Sequence, residues 1–301
     1  MTAVPGLERL PVAKESRRTT GPGVRRVALH ATIALLMIIW LLPTIGLFVN
    51  SFRSSADITA SGWWTALFPP TRLTLDSYAK VLAQTNPDIG SGFINSLFIT
   101  IPATIIPIFV AAFAAYAFSW MSFPFRNALF VAVVGLLVVP LQTTFIPILQ
   151  AYGQFNIAGD FLTVWLAHTG YGLPFAIYLL RNFMGSLPRE VFESAAIDGA
   201  SPVTSFFRLA LPMSVPAIAA LAIFQFLFVW NDLLVALIYL GSVRPENLPM
   251  TVQMANLVNQ FGAGWELLGP AAFLSMALPL AVFFALQRYF VRGITGGAVK
   301  G

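Results

Sequence analysis

The sequence predicts an all-α, polytopic membrane protein with six transmembrane helices. Three features lead there: six apolar runs long enough to cross a bilayer, a scarcity of charge, and a one-sided placement of the basic residues. Hydrophobic residues make up 57% of the 301 residues and charged residues only 10%, with a mean hydropathy of +0.79. A soluble globular domain carries about 25% charge, and a bilayer core needs about 20 apolar residues per helix. The length suits one polytopic domain. There is no cysteine, which excludes disulfides, thiolate nucleophiles and cysteine-ligated metals.

Residues 1–27 are polar, contain six basic residues and read as a disordered tail. The first apolar run, 28–49, is longer than the ~7–15-residue core of a cleavable signal and reads as an uncleaved anchor helix. Residues 50–92 are mixed, with Trp63 and Trp64 suited to an interfacial belt. The second span is 93–118, in which Pro102 and Pro107 are expected to introduce kinks. The third, 128–149, is interrupted by Pro140 and Pro147, and the fourth is 161–180. The fifth is 213–240 and the sixth 271–287, followed by a glycine-rich, basic tail at 291–301.

Lys and Arg accumulate on the cytoplasmic side of membrane helices. With both termini on one side, 13 of the 17 Lys and Arg fall in the segments that share that side. Only Arg53, Arg72, Lys80 and Arg244 fall on the other. Both termini and the loop 181–212 are therefore expected in the cytoplasm of a cell-membrane protein. The pI near 9.8 follows from this topology and calls for no nucleic-acid partner.

The loop has its own architecture. Pro188 suits a first helical position. Val191, Phe192, Ala195 and Ala196 recur at helical spacing and leave Arg189, Glu190 and Glu193 to a polar face. Gly199 stops that helix, because glycine alone takes positive φ cheaply. Ser201 and Pro202 start a second as N-cap and first position, with Phe206, Phe207 and Leu209 as its apolar side and Pro212 as its end. A helix–turn–helix knuckle between two spans reads as a docking piece.

Glu193, Ala195, Asp198, Gly199, Ala200 and Pro212 resemble the EAA motif, roughly EAAxxDGA…P, of ABC importer permeases. Ser194 stands where alanine is usual there. Trp230-Asn231-Asp232, LPMTV at 248–252 and the segment 287–301 resemble the maltose-type carbohydrate permeases, in particular the smaller of their two permease subunits. The resemblance covers nearly everything after residue 28. It implies a six-helix ABC importer permease that forms half of a sugar path beside a homologous second permease. It also implies an ATPase subunit dimer coupled through the knuckle, with Glu193 meeting a basic residue in an ATPase groove. An extracytoplasmic sugar-binding protein would be met by the loop 241–270, and the C-terminal segment would lie against the ATPase. Asp198 has two readings, a cap for the second helix and a partner contact.

The chain's own chemistry is sparse. Its lysines are Lys14, Lys80 and Lys300, none follows a glycine-rich loop, and no HExxH or GxSxG occurs. It is expected to be a transport subunit with no cofactor of its own, ATP and Mg²⁺ being bound by the partner ATPase. Asp232 is the only acidic residue inside an expected span, and intramembrane acids mark functional sites. Gln225 lies seven residues earlier, on nearly the same helical face, and Trp230 and Asn231 adjoin Asp232. Amides and a carboxylate beside aromatic rings suit a sugar; a helix-packing polar cluster is the other reading. At 1.5 Å per residue from position 213, Gln225 falls about 18 Å and Asp232 about 29 Å along the fifth span. Gln225 is thus the candidate for mid-membrane sugar contact and Asp232 for an outer gate. His168 is expected to be a packing histidine with satisfied nitrogens. An importer of another small polar solute and a secondary transporter are the alternatives. The latter predicts several intramembrane ionisable groups and an internal repeat, and the chain shows one carboxylate and no obvious repeat.

Overall fold

In the computed structural model, residues 22–68, 73–241, 244–257 and 264–298 are described, with backbone alone at 22, 24 and 288–298. The described residues form helices and turns without a strand. The chain divides into two units, 1–47 and 48–301. The first carries most of helix α1 (Pro22–Ser51). That helix begins six residues before the expected run, with Pro22 at its start, where a missing N–H costs nothing.

In the second unit, α2 (Ser55–Ala60) and α3 (Asp76–Ala83) precede α4 (Ile89–Trp120). Pro102 and Pro107 both lie inside α4, which is assigned as one helix of 32 residues. The third apolar run does break: α5 (Arg126–Gly135) and α6 (Phe145–Gln154) flank two 3₁₀ turns on either side of Pro140, with a bend of 93°. Next come α7 (Phe161–Met184), α8 (Arg189–Ile197), α9 (Pro202–Ser205), a π-helical turn at Phe206–Ala210, and α10 (Leu211–Met213). Pro212 therefore does not end the knuckle. Helix continues to Met213 and bends by 71° at Ser214 before α11 (Val215–Trp230).

The fifth run is broken a second time. α11 stops at Trp230 and α12 (Leu234–Tyr239) starts afresh, so 213–240 is not one continuous span. α13 (Met250–Ala255) and α14 (Trp265–Ala298) complete the chain. Over 291–298 the glycine-rich, basic tail continues α14, since each residue added to an existing helix needs no new nucleus. Residues 1–21 and 299–301 of the two tails lie outside the described residues.

Among the described residues, three helices are long and apolar enough to cross a membrane, and up to five when each bent pair counts as one span. α7 has the length, 24 residues, but its His168, threonines and glycines dilute its apolarity. It packs along α4 on one face and exposes Leu162, Leu166, Phe175 and Tyr178 on another, while α11 packs on α4, α7 and α14. Small residues make these approaches possible: Ala103, Ala111, Ala112 and Ala115 on α4, Ala167 and Ala176 on α7, Ala217 on α11. Arg53, 1% exposed, donates through its terminal nitrogens to Asn50 Oδ1 and to the carbonyls of Asp57 and Ser61, which fixes α2 to the end of α1.

Candidate functional site

The knuckle is a helix stop followed by a cap. The Ala200 N–H donates to Ala195 O (2.9 Å) and the Gly199 N–H to Ala196 O (3.1 Å). That is the bond pair of a Schellman ending, with Gly199 at the left-handed position, φ 79°. Ala195, Gly199 and Ala200 thus build the turn. Ser201 caps α9 by accepting from the Thr204 N–H (3.2 Å). Asp198 is the C-cap of α8, exposed, and does not cap α9.

The knuckle is bolted to the helix bundle by aromatic rings. Phe192 stacks on Trp120 at 3.9 Å and 18°, and the Trp120 indole N–H donates to Met184 O (3.1 Å). Phe206 stacks on Phe113 at 4.4 Å. The apolar residues divide differently from the expected ridge. Phe192 and Phe206 turn inward, and Ile197, 87% exposed, and Val203, 65% exposed, project outward beside exposed Glu193. Helical spacing could not reveal Ile197, which lies past the last inward turn of α8. A groove of about 390 Å³ runs between Ala195, Asp198, Thr204 and Arg208.

The four intramembrane candidates separate. Gln225 is 6% exposed and sits where α4, α7 and α11 meet, its Nε2 donating to Ala103 O (3.1 Å) and His168 O (3.5 Å). A Cβ on Gly172 would fall 2.6 Å from Gln225 Oε1, so this glycine makes room for the amide. Gln225 is also at the wall of a cleft of about 260 Å³ lined by Tyr171, Phe175, Phe224 and Phe228. Phe175, Phe224 and Phe228 are all well exposed. The sequence placed Phe228 beside Gln225; it gave no sign of Tyr171 or Phe175, which α7 supplies from 50 residues away in sequence.

Trp230 requires a correction. It is 2% exposed, donates its indole N–H to Ser275 O (3.1 Å) and stacks on Phe226, so it fastens α11 to α14 and is closed to a solute. Asn231 is the exposed C-cap of α11, with Nδ2 donating to Leu227 O (2.8 Å). Asp232 lies in the break, off the helical face it was expected to share with Gln225. Its carboxylate accepts from the N–H groups of Val235 (3.3 Å) and Ala236 (3.0 Å), capping α12. Two backbone donors at a helix N-terminus compensate its charge. His168, 0% exposed, is 3.7 Å from Asp232. Neither of its ring nitrogens has a hydrogen-bond partner, contrary to the satisfied histidine expected.

A second polar line runs through the hydroxyls of Thr144, Tyr171 and Tyr239, spaced 2.8 and 3.0 Å. No group of three or more potential metal ligands occurs among the described residues.

Comparison with known proteins decides what these parts belong to. The family described as "Binding-protein-dependent transport system inner membrane component" matches residues 91–296. The chain belongs to that family. It is 54% identical over 279 residues to the osmoprotective compounds uptake permease protein of Synechocystis sp., covering 92% of this chain and 93% of the relative. It is 39% identical to the alpha-glucoside transport system permease protein of Rhizobium meliloti, covering 91% and 97%. Among solved structures, a bacterial ABC transporter involved in alginate import superposes with a TM-score of 0.75 at 18% identity, covering 93% of this chain and all of that one. At that identity the likeness speaks for the fold. The chain is thus a helical membrane permease of a transport system, of the ABC importer fold.

Proposed function

We propose that this chain is the transmembrane permease subunit of an ATP-driven carbohydrate importer, with small α-glucosides as its substrates. The observation that carries the reading is the cleft of Tyr171, Phe175, Phe224 and Phe228 around Gln225. Sugars present C–H faces that pack on aromatic rings and hydroxyls that need acceptors, and Gln225 Oε1 is an acceptor to which no side chain or backbone N–H donates among the described residues. The substrates in the names of the two relatives, osmoprotective compounds and alpha-glucosides, are compatible with this class. The cleft is half of the path, and a homologous second permease supplies the facing half.

The remaining roles follow. ATP and Mg²⁺ are bound by a separate ATPase subunit dimer, and Glu193, Ile197 and the Asp198–Ala200 turn dock into it. Because Phe192 and Phe206 lock the knuckle to the C-terminal part of α4, movement of the ATPase dimer reaches the cleft as a rigid-body shift. Residues 181–212 and both termini face the cytoplasm, the many exposed apolar side chains meet lipid, and the loop 241–270 meets an extracytoplasmic sugar-binding protein. Gln225 touches sugar; Asp232, with Asn231 beside it, controls the outer end of the path.

Uptake of radiolabelled trehalose by cells carrying the whole transporter tests the reading. Sucrose and maltose should compete, and Gln225→Leu should raise the half-saturating concentration. The name of the Synechocystis relative favours one other reading, import of a non-sugar osmolyte. Competition by glycine betaine, with none by sucrose, would select it.

A further inference from the structure

We propose that the elbow between α5 and α6 is a phospholipid site: one acyl chain lies in the groove that the elbow forms with α7, and the Tyr152 hydroxyl donates to the ester carbonyl of that chain. The groove has a volume of about 320 Å³. Leu136, Leu137 and Val139 wall it from the elbow, which bends by 93°, and Leu166 and Gly170 wall it from α7. These four aliphatic side chains are all well exposed, and Val138 between them is 83% exposed. Apolar surface left open on a membrane permease is lipid-facing surface, and the groove is continuous with it. The occupant that reaches such a groove without leaving the membrane is a lipid chain.

The polar atoms of the groove say which part of a lipid it takes. No acidic or basic side chain lines it; its polar side chains are Thr144, Tyr152 and Tyr171. Thr144 Oγ1 donates to Leu141 O (2.6 Å), so Tyr171 donates to Thr144 (2.8 Å) and Tyr239 to Tyr171 (3.0 Å). Tyr152 is the exception. It is 9% exposed, no hydrogen bond among the described residues uses its hydroxyl, and that oxygen is not sealed off from the groove. A buried phenol ordinarily finds a partner for its O–H, and here the occupant of the groove supplies it. An ester carbonyl is a single acceptor at the head of an apolar chain, which matches a single free donor in an aliphatic wall. A sugar would leave most of its hydroxyls unpaired against these leucines, which sets the groove apart from the cleft around Gln225. The position along α7 agrees. Leu166 and Pro174, which bound the groove on this helix, lie about 8 and 20 Å from Phe161 at 1.5 Å per residue. The groove therefore falls largely in one leaflet of a hydrocarbon core about 30 Å thick. Tyr152 O accepts from the Ile157 N–H (3.0 Å) of the turn before α7, where Asp160 and Arg244 form an exposed ion pair (2.6 Å). Tyr152 thus stands at the water end of the groove, and the elbow, at the other end of α6, receives the chain.

The complete transporter, purified in detergent with its second permease and ATPase and without ATP or solute, is titrated with palmitoyl-oleoyl phosphatidylethanolamine or phosphatidylglycerol, and bound lipid is counted by native mass spectrometry. Wild type is expected to hold a lipid that Gly170→Leu does not. A Cβ at Gly170 meets nothing within 4 Å, so the leucine enters the groove without collision. Gly153→Leu, on α6 with equally open space but outside the groove, should keep the lipid. Tyr152→Phe retains the ring and should lower the affinity about fivefold, the order of one ordinary hydrogen bond. The two headgroups should bind alike, because the groove offers no charge. If Gly170→Leu does not assemble, Tyr152→Phe carries the comparison. Equal binding by wild type, Gly170→Leu and Tyr152→Phe overturns the proposal, and so does equal loss in Gly153→Leu. A wild type that holds no lipid overturns it by showing that the second permease covers the groove, and binding of the anionic lipid alone overturns it by placing the contact at a headgroup. Because neither solute nor ATP is present, a failure here leaves the import reading untouched, and a failed uptake assay leaves the lipid site standing.

Discussion

Replacing Gly199 separates the backbone demand of the knuckle from everything else about it. Its φ is 79°, and a Cβ built there meets nothing within 4 Å. A substitution is therefore free of collision, and its cost is the left-handed conformation itself, about 1–2 kcal/mol for an ordinary L-residue. That conformation carries the Ala200→Ala195 and Gly199→Ala196 bonds, so a residue that leaves it unwinds the end of α8 and swings Ile197 and Glu193 off their positions. If docking needs the turn intact, Gly199→Ala lowers stimulated ATP hydrolysis by about 5- to 30-fold, the factor that 1–2 kcal/mol represents. Gly199→Val does worse, because a β-branched side chain at positive φ is a strong outlier. Gly199→Asn does best, because asparagine visits this region readily. The assay is ATP hydrolysis of the reconstituted transporter, with chain abundance in the membrane measured in parallel. An Asn variant as impaired as Val, or an Ala and a Val variant both equal to wild type, would refute the reasoning.

Other outcomes follow from the same geometry. Glu193→Lys is expected to abolish uptake with the chain still inserted, since it reverses an exposed charge at the docking face; normal uptake at normal membrane levels would remove Glu193 from that face. Gly172→Ala puts a Cβ 2.6 Å from Gln225 Oε1, displaces an amide that holds two carbonyls at a net worth of roughly 1 kcal/mol each, and should raise the half-saturating trehalose concentration several-fold more than Gly170→Ala, where the space is open. A single cysteine at Ser194, in a chain that has none, should resist an impermeant thiol reagent applied outside intact cells and react after permeabilisation; labelling from outside would invert the topology.

How far the sequence reached can be followed residue by residue. Local signals were readable. Gly199 and Ser201 disclosed the turn and the cap, because positive φ and N-cap bonds are satisfied within a few residues. Pro140 disclosed the break between α5 and α6. The helices themselves followed from apolarity, α7 included although His168, threonines and glycines interrupt it. What depended on a second element stayed hidden. Trp230 looked like part of a solute path until α14 offered the Ser275 carbonyl. Asp232 looked like a free intramembrane acid, but the chain ends α11 two residues earlier and uses the carboxylate to start α12. Tyr171 and Phe175 join Gln225 only when α7 lies beside α11. Pro212 read as the end of the knuckle, yet helix runs on through it to Met213.

The account stands or falls on whether this chain couples ATP to sugar entry. The direct measurement is accumulation of labelled trehalose in proteoliposomes containing the chain, its second permease and the ATPase, with and without ATP and with and without the binding protein. The account predicts accumulation only when ATP and binding protein are both present, with ATP hydrolysis rising in step. Accumulation driven by an ion gradient without ATP, or independent of the binding protein, would contradict it.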